Sequence, residues 1–307
     1  MKSSVTRRVL LFVLIALVIA TGVRLGFRGE LKWSKTLFKL ERNGCPLPDA
    51  ISAIRYTTRQ RALYYRLTRE SRVIESDPTG FELWQTPLGK FWAPRNDGPS
   101  LLFVLAEVEE EPYASPRVRV TQGDVVLDCG AQVGTFTKKA LEAGAGRVVC
   151  IEPDPKYAVC LKRNYAAEVA AGRVVVAETG VWDKEGNLEF HEDGATSSFV
   201  MHNANLKAMV LPVTTIDKLV PALGLSRVDF IKMDIEGAEL EALAGAAQTL
   251  ARFTPKLAIA SYHKAEDPKR IPALVHSLNS VYGMESVGCR LDMDQIRPLS
   301  MFFYSTR

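Results

Sequence analysis

Two glycines and an acidic residue follow an apolar run in the middle of the chain. Val125–Leu127 leads into Asp128, and the turn that comes next contains Gly130 and Gly134. Glycines let a backbone pass close to a bound ligand, where a Cβ atom would clash. The spacing D-x-G-x-x-x-G differs from the G-x-G-x-x-G of dinucleotide sites, and an acid inside the turn would repel a pyrophosphate. The motif therefore predicts a ligand that carries a cationic amino group.

A second acidic residue comes at the end of the next apolar run. Glu152 lies 24 residues after Asp128 and is followed by Pro153. An acidic residue about 20 residues beyond the first glycine turn can accept hydrogen bonds from both hydroxyls of a ribose. Strand ends often carry an acid, so the indication is weak by itself. It becomes specific in combination with the glycine turn.

A third group of polar residues ends two later apolar runs. Asp234 and Glu236 follow one run, and His263 follows the next. Ligands in open parallel sheets lie beyond the carboxyl ends of the strands, so a carboxylate or the imidazole could accept a proton from a substrate hydroxyl. Two alternatives stay open for the acids, namely a metal site with Asp234 as a ligand and capping of the following helix by Glu236 or Glu239. A lone histidine at a strand end, such as His263, is more often structural than catalytic.

The elements that position these residues alternate between short apolar runs and helical patterns. Such alternation predicts an α/β fold with a mostly parallel sheet and helices on both faces. Two further strands at residues 284–289 and 301–304 predict an antiparallel pair at the C-terminal edge. The predicted parallel strands are Val125–Cys129, Arg147–Glu152, Val174–Glu178, Phe230–Asp234 and Leu257–Ser261.

From about Tyr113 onward the chain resembles an FkbM-type methyltransferase. The segments that carry the resemblance are GDVVLDCGAQVGTFT at 123–137, CIEPDP at 150–155, TTIDKL at 214–219 and VDFIKMDIEGAELEAL at 228–243. The last segment is the most specific to the family, whereas the first two are shared by many enzymes that use S-adenosylmethionine. The resemblance covers about two-thirds of the chain. It implies a Rossmann-like class I methyltransferase that uses S-adenosylmethionine as cofactor, typically for O-methylation.

The resemblance also implies which residues contact the cofactor. It places the glycine turn against the cofactor and Glu152 on its ribose, with the adenine ring near the end of the third strand. The cofactor-binding residues that it implies are Asp128, Gly130, Gly134, Glu152, Glu178 and Thr179. Two other functions share the general fold: an NAD-dependent oxidoreductase, which the D-x-G-x-x-x-G spacing disfavours, and a binding protein without catalytic activity.

The charge distribution and the cysteine content indicate which binding partners and which cellular compartment to expect. Residues 1–72 carry 15 Lys/Arg and 4 Asp/Glu, while the rest of the chain carries 24 and 31. A basic arm on an acidic body favours a membrane surface over nucleic acid. The five cysteines are scattered without a CxxC pair, which argues against zinc and a disulfide framework. Reduced thiols of this kind are typical of the cytosol.

An uncharged apolar segment lies near the N-terminus. Val9–Val23 contains only uncharged residues and follows Lys2, Arg7 and Arg8. It is interpreted as a single-pass membrane anchor, with a cleaved signal peptide and a buried core helix as alternatives. The basic residues after it favour a cytoplasmic body, where S-adenosylmethionine is made. A membrane-associated glycan, a lipid-linked sugar or another small molecule is the expected acceptor.

The sequence thus predicts three regions. Residues 1–28 are the anchor, residues 29–112 form a basic helical and β-hairpin extension, and residues 113–307 form the methyltransferase domain. Within the extension, Ile51, Ile54, Thr58, Ala62 and Tyr65 recur at helical spacing, with arginines on the other faces. A pair of strands and a short helix are predicted between residues 81 and 108.

Overall fold

The structure is a computed structural model, and it describes residue 45 and residues 47–200, 207–292 and 295–306. The strands in this part of the chain are β1 (Arg72–Ser76), β2 (Phe81–Thr86), β3 (Gly89–Pro94), β4 (Val125–Cys129), β5 (Arg147–Ile151), β6 (Val174–Ala177), β7 (Gly180–Val181), β8 (Gly186–His191), β9 (Ala208–Thr214), β10 (Phe230–Met233), β11 (Lys256–Ala260), β12 (Tyr282–Asp292) and β13 (Gln295–Ser305). The helices are α1 (Leu47–Glu70), α2 (Gly98–Val108), α3 (Thr135–Glu142), α4 (Pro155–Asn164), α5 (Ala166–Ala170), α6 (Ile216–Ala222), α7 (Glu239–Ala244), α8 (Ala247–Phe253) and α9 (Asp267–Leu278).

A seven-stranded sheet forms the centre of the molecule, in the order β12-β13-β11-β10-β4-β5-β6. The strands β11, β10, β4, β5 and β6 run parallel. Nearly all residues of β4, β5, β10 and β11 are buried, as expected for apolar strands with helices on both faces of the sheet. The strand order reverses between β4 and β10, and this switch point is where α/β sheets bind ligands. The predicted mixed α/β fold with a central sheet is confirmed and is consistent with a Rossmann-like arrangement.

The C-terminal edge of the sheet is antiparallel, as the sequence predicts. β13 pairs antiparallel with β11, and β12 pairs antiparallel with β13. The predicted strand ends in the parallel region are correct to within one residue, because the apolar runs of β5, β6 and β11 stop at a polar residue and β4 stops at Gly130. A separate three-stranded sheet contains β7, β8 and β9. In it, β9 pairs antiparallel with β8 and parallel with β7.

Local chemistry explains where several helices begin. Asp154 caps α4 by accepting a hydrogen bond from Lys156 N, and Pro155 occupies the first turn, where its missing N–H costs nothing. Thr215 caps α6 in the same way, with Lys218 N as donor.

The N-terminal extension packs directly on the main domain. The predicted hairpin is β2 and β3, and a third strand that the sequence does not predict, β1, pairs with β2. Leu67 of α1, Phe91 of β3 and Leu101 of α2 share one apolar cluster with Val133 and Cys160 of the main domain. The two regions therefore have a continuous core.

The helix predicted near residues 47–72 is present as α1. The prediction of which side of this helix is buried is wrong. Tyr65 is 64% exposed, and Ala62 is exposed too. The buried stripe instead contains Ala53, Tyr56 and Leu67. Both stripes have helical spacing, so only contact with β12 and α2 decides which one faces inward.

The predicted membrane anchor at residues 1–28 lies outside the described residues. Within the described part of the chain, no helix combines the length and the apolar character needed to cross a membrane.

The expectation of reduced cysteines is wrong for two of the five. Cys45 and Cys289 form a disulfide across 244 residues of sequence. Spacing along the chain cannot reveal such a pair, because the fold brings β12 beside the start of α1. Cys129, Cys150 and Cys160 are free and buried, as expected.

Candidate functional site

A pocket opens at the switch point of the central sheet, beyond the carboxyl ends of β4, β5 and β10. Gly130 lies at the end of β4 and Asp234 at the end of β10. Gly130 has a φ of 76°, and a Cβ atom there would collide with the carbonyl oxygen of Asp234. The glycine is required because the two loops approach each other so closely.

The pocket is an open cleft of about 590 Å³ when the solvent space at its mouth is included. One wall is apolar and contains Ile151, Val181, Phe190 and Phe199. Carboxylates lie on the other walls, so the pocket suits a ligand with an aromatic part and polar, hydrogen-bond-donating parts.

Glu152 lines this pocket at the end of β5. Its carboxylate accepts hydrogen bonds from Gln132 N at 2.8 Å and from Asp154 N at 2.9 Å. Burial nevertheless raises its pKa from 4.5 to about 7, because the two backbone donors only partly replace lost solvation. The acid predicted from sequence to bind a ribose is thus in place, with lone pairs left for a ligand.

Asp128 lies beneath the pocket and is fully buried. Its carboxylate accepts a hydrogen bond from Thr137 Oγ1 at 2.8 Å, and Lys232 Nζ lies 3.2 Å away as an ion-pair partner. Lys232 also donates to the carbonyl oxygens of Cys129 and Gly130. Asp128 and Lys232 thus support the glycine turn from below, and the predicted contact of Asp128 with the cofactor stays a prediction.

The other residues predicted to contact the cofactor lie at different depths. Thr179 lines the pocket. Glu178 points outward and pairs with Lys162 on the surface. Gly134 lies behind the pocket, where a Cβ atom would strike the ring of Tyr165. Gly134 therefore allows close helix packing, and it does not border the ligand space.

Asp234 is held by two buried phenols. Tyr113 Oη donates to Asp234 Oδ2 at 2.5 Å, and Tyr262 Oη donates to Asp234 Oδ1 at 3.1 Å. Burial opposes ionisation of Asp234, but the positive charges of Lys232 and His263 and the two phenols outweigh it and lower the pKa. Asp234 is thus a firmly ionised carboxylate and a poor proton acceptor.

Glu236 differs from Asp234 in its electrostatics. Burial is the largest influence on Glu236 and raises its pKa, although His263 acts in the opposite direction. Its φ of 55° and the φ of 50° at Gln132 place two non-glycine residues of the pocket lining in the left-handed region. Such strained backbones concentrate at functional sites. Of the two carboxylates at the end of β10, Glu236 is the better general base.

His263 lies behind these carboxylates and is 4% exposed. Its Nε2 atom is 3.4 Å from Asp234 Oδ1 and 3.4 Å from Glu236 Oε2, and its Nδ1 atom is 2.9 Å from Glu239 Oε1. Burial lowers the pKa of His263, but Glu239 and Glu236 outweigh this and raise it well above 6.5. The carboxylates around His263 therefore favour its protonated form when no other cation is bound. One ligand atom each from Asp234, Glu236 and His263 lie within 4.8 Å of one another, a spacing that could hold a metal ion.

Several residues around this centre were not predicted from the sequence. Glu107 pairs with Arg290 at 3.0 Å, and burial raises the pKa of Glu107 to about 7. The guanidinium of Arg290 also covers the ring of Tyr262. Lys232 had a detectable signal, since a lysine inside the apolar run Phe230–Met233 must have a buried partner. Nothing in the sequence indicates Tyr113 or Arg290.

Comparison with known proteins bears on the activity of this centre. Residues 128–282, from the glycine turn to the start of β12, match the family described as the methyltransferase FkbM domain. The chain belongs to the FkbM methyltransferase family. The FkbM domain thus includes the pocket, Asp234, Glu236 and His263, and its family transfers methyl groups.

Two relatives of this FkbM domain have named activities. Hexuronic acid methyltransferase AglP of Haloferax volcanii is 25% identical over 154 residues, covering 50% of this chain and 62% of that protein. The 2-O-methyltransferase NoeI of Sinorhizobium fredii is 24% identical over 147 residues, covering 42% of this chain and 59% of that protein. The chain spans about three-fifths of the length of both relatives.

A solved structure of the FkbM family resembles this chain as well. It is the methyltransferase FkbM of Methylobacillus flagellatus, at 21% sequence identity and a TM-score of 0.47. The alignment covers 83% of this chain and 60% of that one.

Proposed function

We propose that this protein transfers a methyl group from S-adenosylmethionine to a hydroxyl group of a sugar or a sugar-like acceptor. The observation that carries the proposal is a pocket at the switch point with Glu152 on one side and Asp234 and Glu236 on another. One acid suits the ribose of a cofactor and the others suit an acceptor hydroxyl. The membership of the FkbM family supplies the reaction class.

The residues of the pocket fit the cofactor. Glu152 would accept hydrogen bonds from both ribose hydroxyls, and the apolar wall of Val181, Phe190 and Phe199 would cover the adenine ring. S-adenosylmethionine supplies an activated methyl group on a sulfonium. The carboxylate-rich wall favours a positively charged sulfonium electrostatically.

The remaining chemistry is positioning and proton removal. The acceptor oxygen attacks the methyl carbon, the C–S bond breaks, and its electron pair stays on sulfur, so that S-adenosylhomocysteine leaves. Glu236 takes the hydroxyl proton, since its raised pKa makes it the better base. Asp234, fixed by Tyr113 and Tyr262, orients the acceptor.

The names of the two relatives support the proposed acceptor class. One is named for methylation of a hexuronic acid and the other for 2-O-methylation. Both names describe O-methylation, and the first specifies a sugar acid. A glycan or lipid-linked sugar with free hydroxyls is accordingly the acceptor that we propose.

The experiment must distinguish the proposed methyl transfer from two alternative functions. An NAD-dependent oxidoreductase requires space for a pyrophosphate at the glycine turn, and the D-x-G-x-x-x-G spacing differs from the G-x-G-x-x-G that provides it. A binding protein without activity would hold the cofactor and release no product. Either alternative differs from the proposal in a measurable quantity.

The deciding experiment combines calorimetry with product detection. The full chain should bind S-adenosylmethionine and release S-adenosylhomocysteine with hexuronic acid-containing glycans. Glu236→Gln should lower kcat about 10²–10⁴-fold at unchanged cofactor affinity, whereas the surface variant Glu266→Gln should behave like the parent. Cofactor binding without product across the acceptor panel would favour a binding protein. Binding of NAD in place of S-adenosylmethionine would refute the methyltransferase.

We also propose that residues 1–28 anchor the protein in a membrane with the body on the cytoplasmic side. The segment Val9–Val23 and the basic residues around it support this proposal. The disulfide Cys45–Cys289 is more typical of an oxidising compartment. Reporter fusions to the C-terminus, one active only in the cytoplasm and one only outside it, decide between the two sides.

A further inference from the structure

Three potential ligand atoms converge at the carboxyl end of β10. His263 Nε2 lies 3.4 Å from Asp234 Oδ1 and 3.4 Å from Glu236 Oε2. Bonds of about 2.0–2.4 Å to a divalent cation place adjacent ligand atoms about 3–3.5 Å apart. The two separations fall in that range, and they are long for hydrogen bonds.

The histidine provides an independent indication. His263 is 4% exposed, and neither ring nitrogen makes an aligned hydrogen bond to any described residue. Its Nδ1 atom lies 2.9 Å from Glu239 Oε1, and Glu239 is itself fully buried and close to Ile235 N. Metal-binding histidines are oriented in this way, with a carboxylate at one nitrogen and the metal at the other.

The charged groups around the centre favour binding of a cation. Two permanent cations, Lys232 and Arg290, lie among the described residues of the centre. They face five carboxyl groups, which belong to Glu107, Asp128, Asp234, Glu236 and Glu239. Buried charge is costly unless an opposite charge or a metal compensates it. A divalent cation, bound in place of the proton on His263, would reduce this excess of negative charge.

We propose that Asp234, Glu236 and His263 bind one divalent cation, which holds the acceptor oxygen at the mouth of the pocket. The inference rests on the proposed methyl transfer for its consequence, although cation binding can be measured by itself. Asp234 and Glu236 both line the pocket, so the open side of the cation would face the ligand space. Mixed carboxylate and imidazole ligands suit Mn²⁺, Fe²⁺ or Zn²⁺ better than the all-oxygen preference of Ca²⁺.

The site selects a class of acceptor. Three protein ligands leave coordination positions for two acceptor oxygens, so a vicinal diol or a hydroxyl beside a carboxylate fits best. Coordination through Glu236 Oε2 leaves Oε1 of Glu236 free to take the hydroxyl proton. The acceptor oxygen then attacks the methyl carbon, and the electron pair of the C–S bond stays on sulfur.

The test measures cation binding directly. Full-length protein freed of metal by a chelator is titrated with Mn²⁺, and binding is followed by loss of the electron paramagnetic resonance signal of free Mn²⁺. We expect about one Mn²⁺ per chain. His263→Gln should weaken the affinity at least ~10-fold, and Glu239→Gln should weaken it about 10–100-fold. The exposed His276→Gln is the matched control and should bind like the parent.

S-adenosylmethionine binding is measured calorimetrically on the same samples. Folded parent protein that binds S-adenosylmethionine but no Mn²⁺ would overturn the cation site and leave the proposed function standing. Equal Mn²⁺ affinity in the parent and in both variants would overturn it as well. Failure to bind S-adenosylmethionine with Mn²⁺ binding intact would instead reject the proposed function.

Discussion

Glu152 is a buried carboxyl whose ionisation state controls what it can bind. It is 5% exposed, and burial raises its pKa to about 7. Below that pH the protonated form dominates, and a protonated carboxyl cannot accept hydrogen bonds from two ribose hydroxyls equally well. Cofactor binding therefore requires the form that burial disfavours.

We expect the affinity for S-adenosylmethionine to rise as the pH increases through about 7. If only ionised Glu152 binds the cofactor, Kd at pH 6 is about tenfold higher than at pH 8. The measurement is calorimetric titration at both pH values. Glu152→Gln cannot titrate, so its weaker binding should lose this pH dependence. An equally steep profile in Glu152→Gln would assign the pH dependence to another group.

Lys232 illustrates how one residue supports a site that it does not enter. It is 4% exposed, pairs with Asp128 and donates to the carbonyl oxygens of Cys129 and Gly130. Burial lowers its pKa, but Asp128 and Asp234 outweigh burial and raise it. Lys232 therefore stays charged and connects the ends of β4 and β10.

At the scale of elements, the turn between β4 and α3 depends on glycine for two different reasons. Gly130 allows two loops to approach at the pocket, whereas Gly134 makes room for Tyr165 after α4. Gly134 has a φ of 92°, and the hydroxyl of Tyr165 donates to its carbonyl oxygen. Packing of α4 against the start of α3 therefore requires a residue without a side chain.

We expect Gly134→Ala to lower the free energy of unfolding by about 2–5 kcal/mol, from backbone strain and from overlap with Tyr165. Gly172→Ala is the matched control, because Gly172 has a φ of 69° and open space around its missing Cβ. Only backbone strain applies at Gly172, so we expect Gly172→Ala to lower the free energy of unfolding by about 1–2 kcal/mol. Chemical denaturation measures both. Equal losses in the two variants would show that the contact with Tyr165 has no energetic importance.

At the scale of the whole molecule, the N-terminal extension and the C-terminal strands are joined covalently and by packing. Cys45 precedes α1, and Cys289 lies in β12. Cross-linking chain segments so far apart restricts the unfolded ensemble. The bond therefore stabilises the attachment of the extension to the main domain.

We expect three reactive thiols per denatured chain before reduction and five afterwards, measured with a thiol reagent. Cys289→Ser should lower the free energy of unfolding by about 2–5 kcal/mol. Cys160→Ser, which removes a free buried thiol, is the comparison and should retain the disulfide. Five reactive thiols in the protein as isolated would show that Cys45 and Cys289 are reduced.

The sequence by itself determined the central sheet, its strand ends and the polar residues at those ends. These features are local: apolar runs define strands, and glycines and acids mark the turns that follow. Glu152, Thr179, Asp234 and Glu236, which the sequence singles out, line the pocket. The sequence also identified the family, since the motif at 228–243 is contiguous in sequence.

Only the tertiary structure decided which partner each buried acid has. Asp128 and Asp234 both end strands, yet one is neutralised by Lys232 and the other is held by Tyr113 and Tyr262. The buried face of α1 and the disulfide Cys45–Cys289 were likewise decided by tertiary contacts. Contacts between residues far apart in sequence produce these differences, and no local pattern records such contacts.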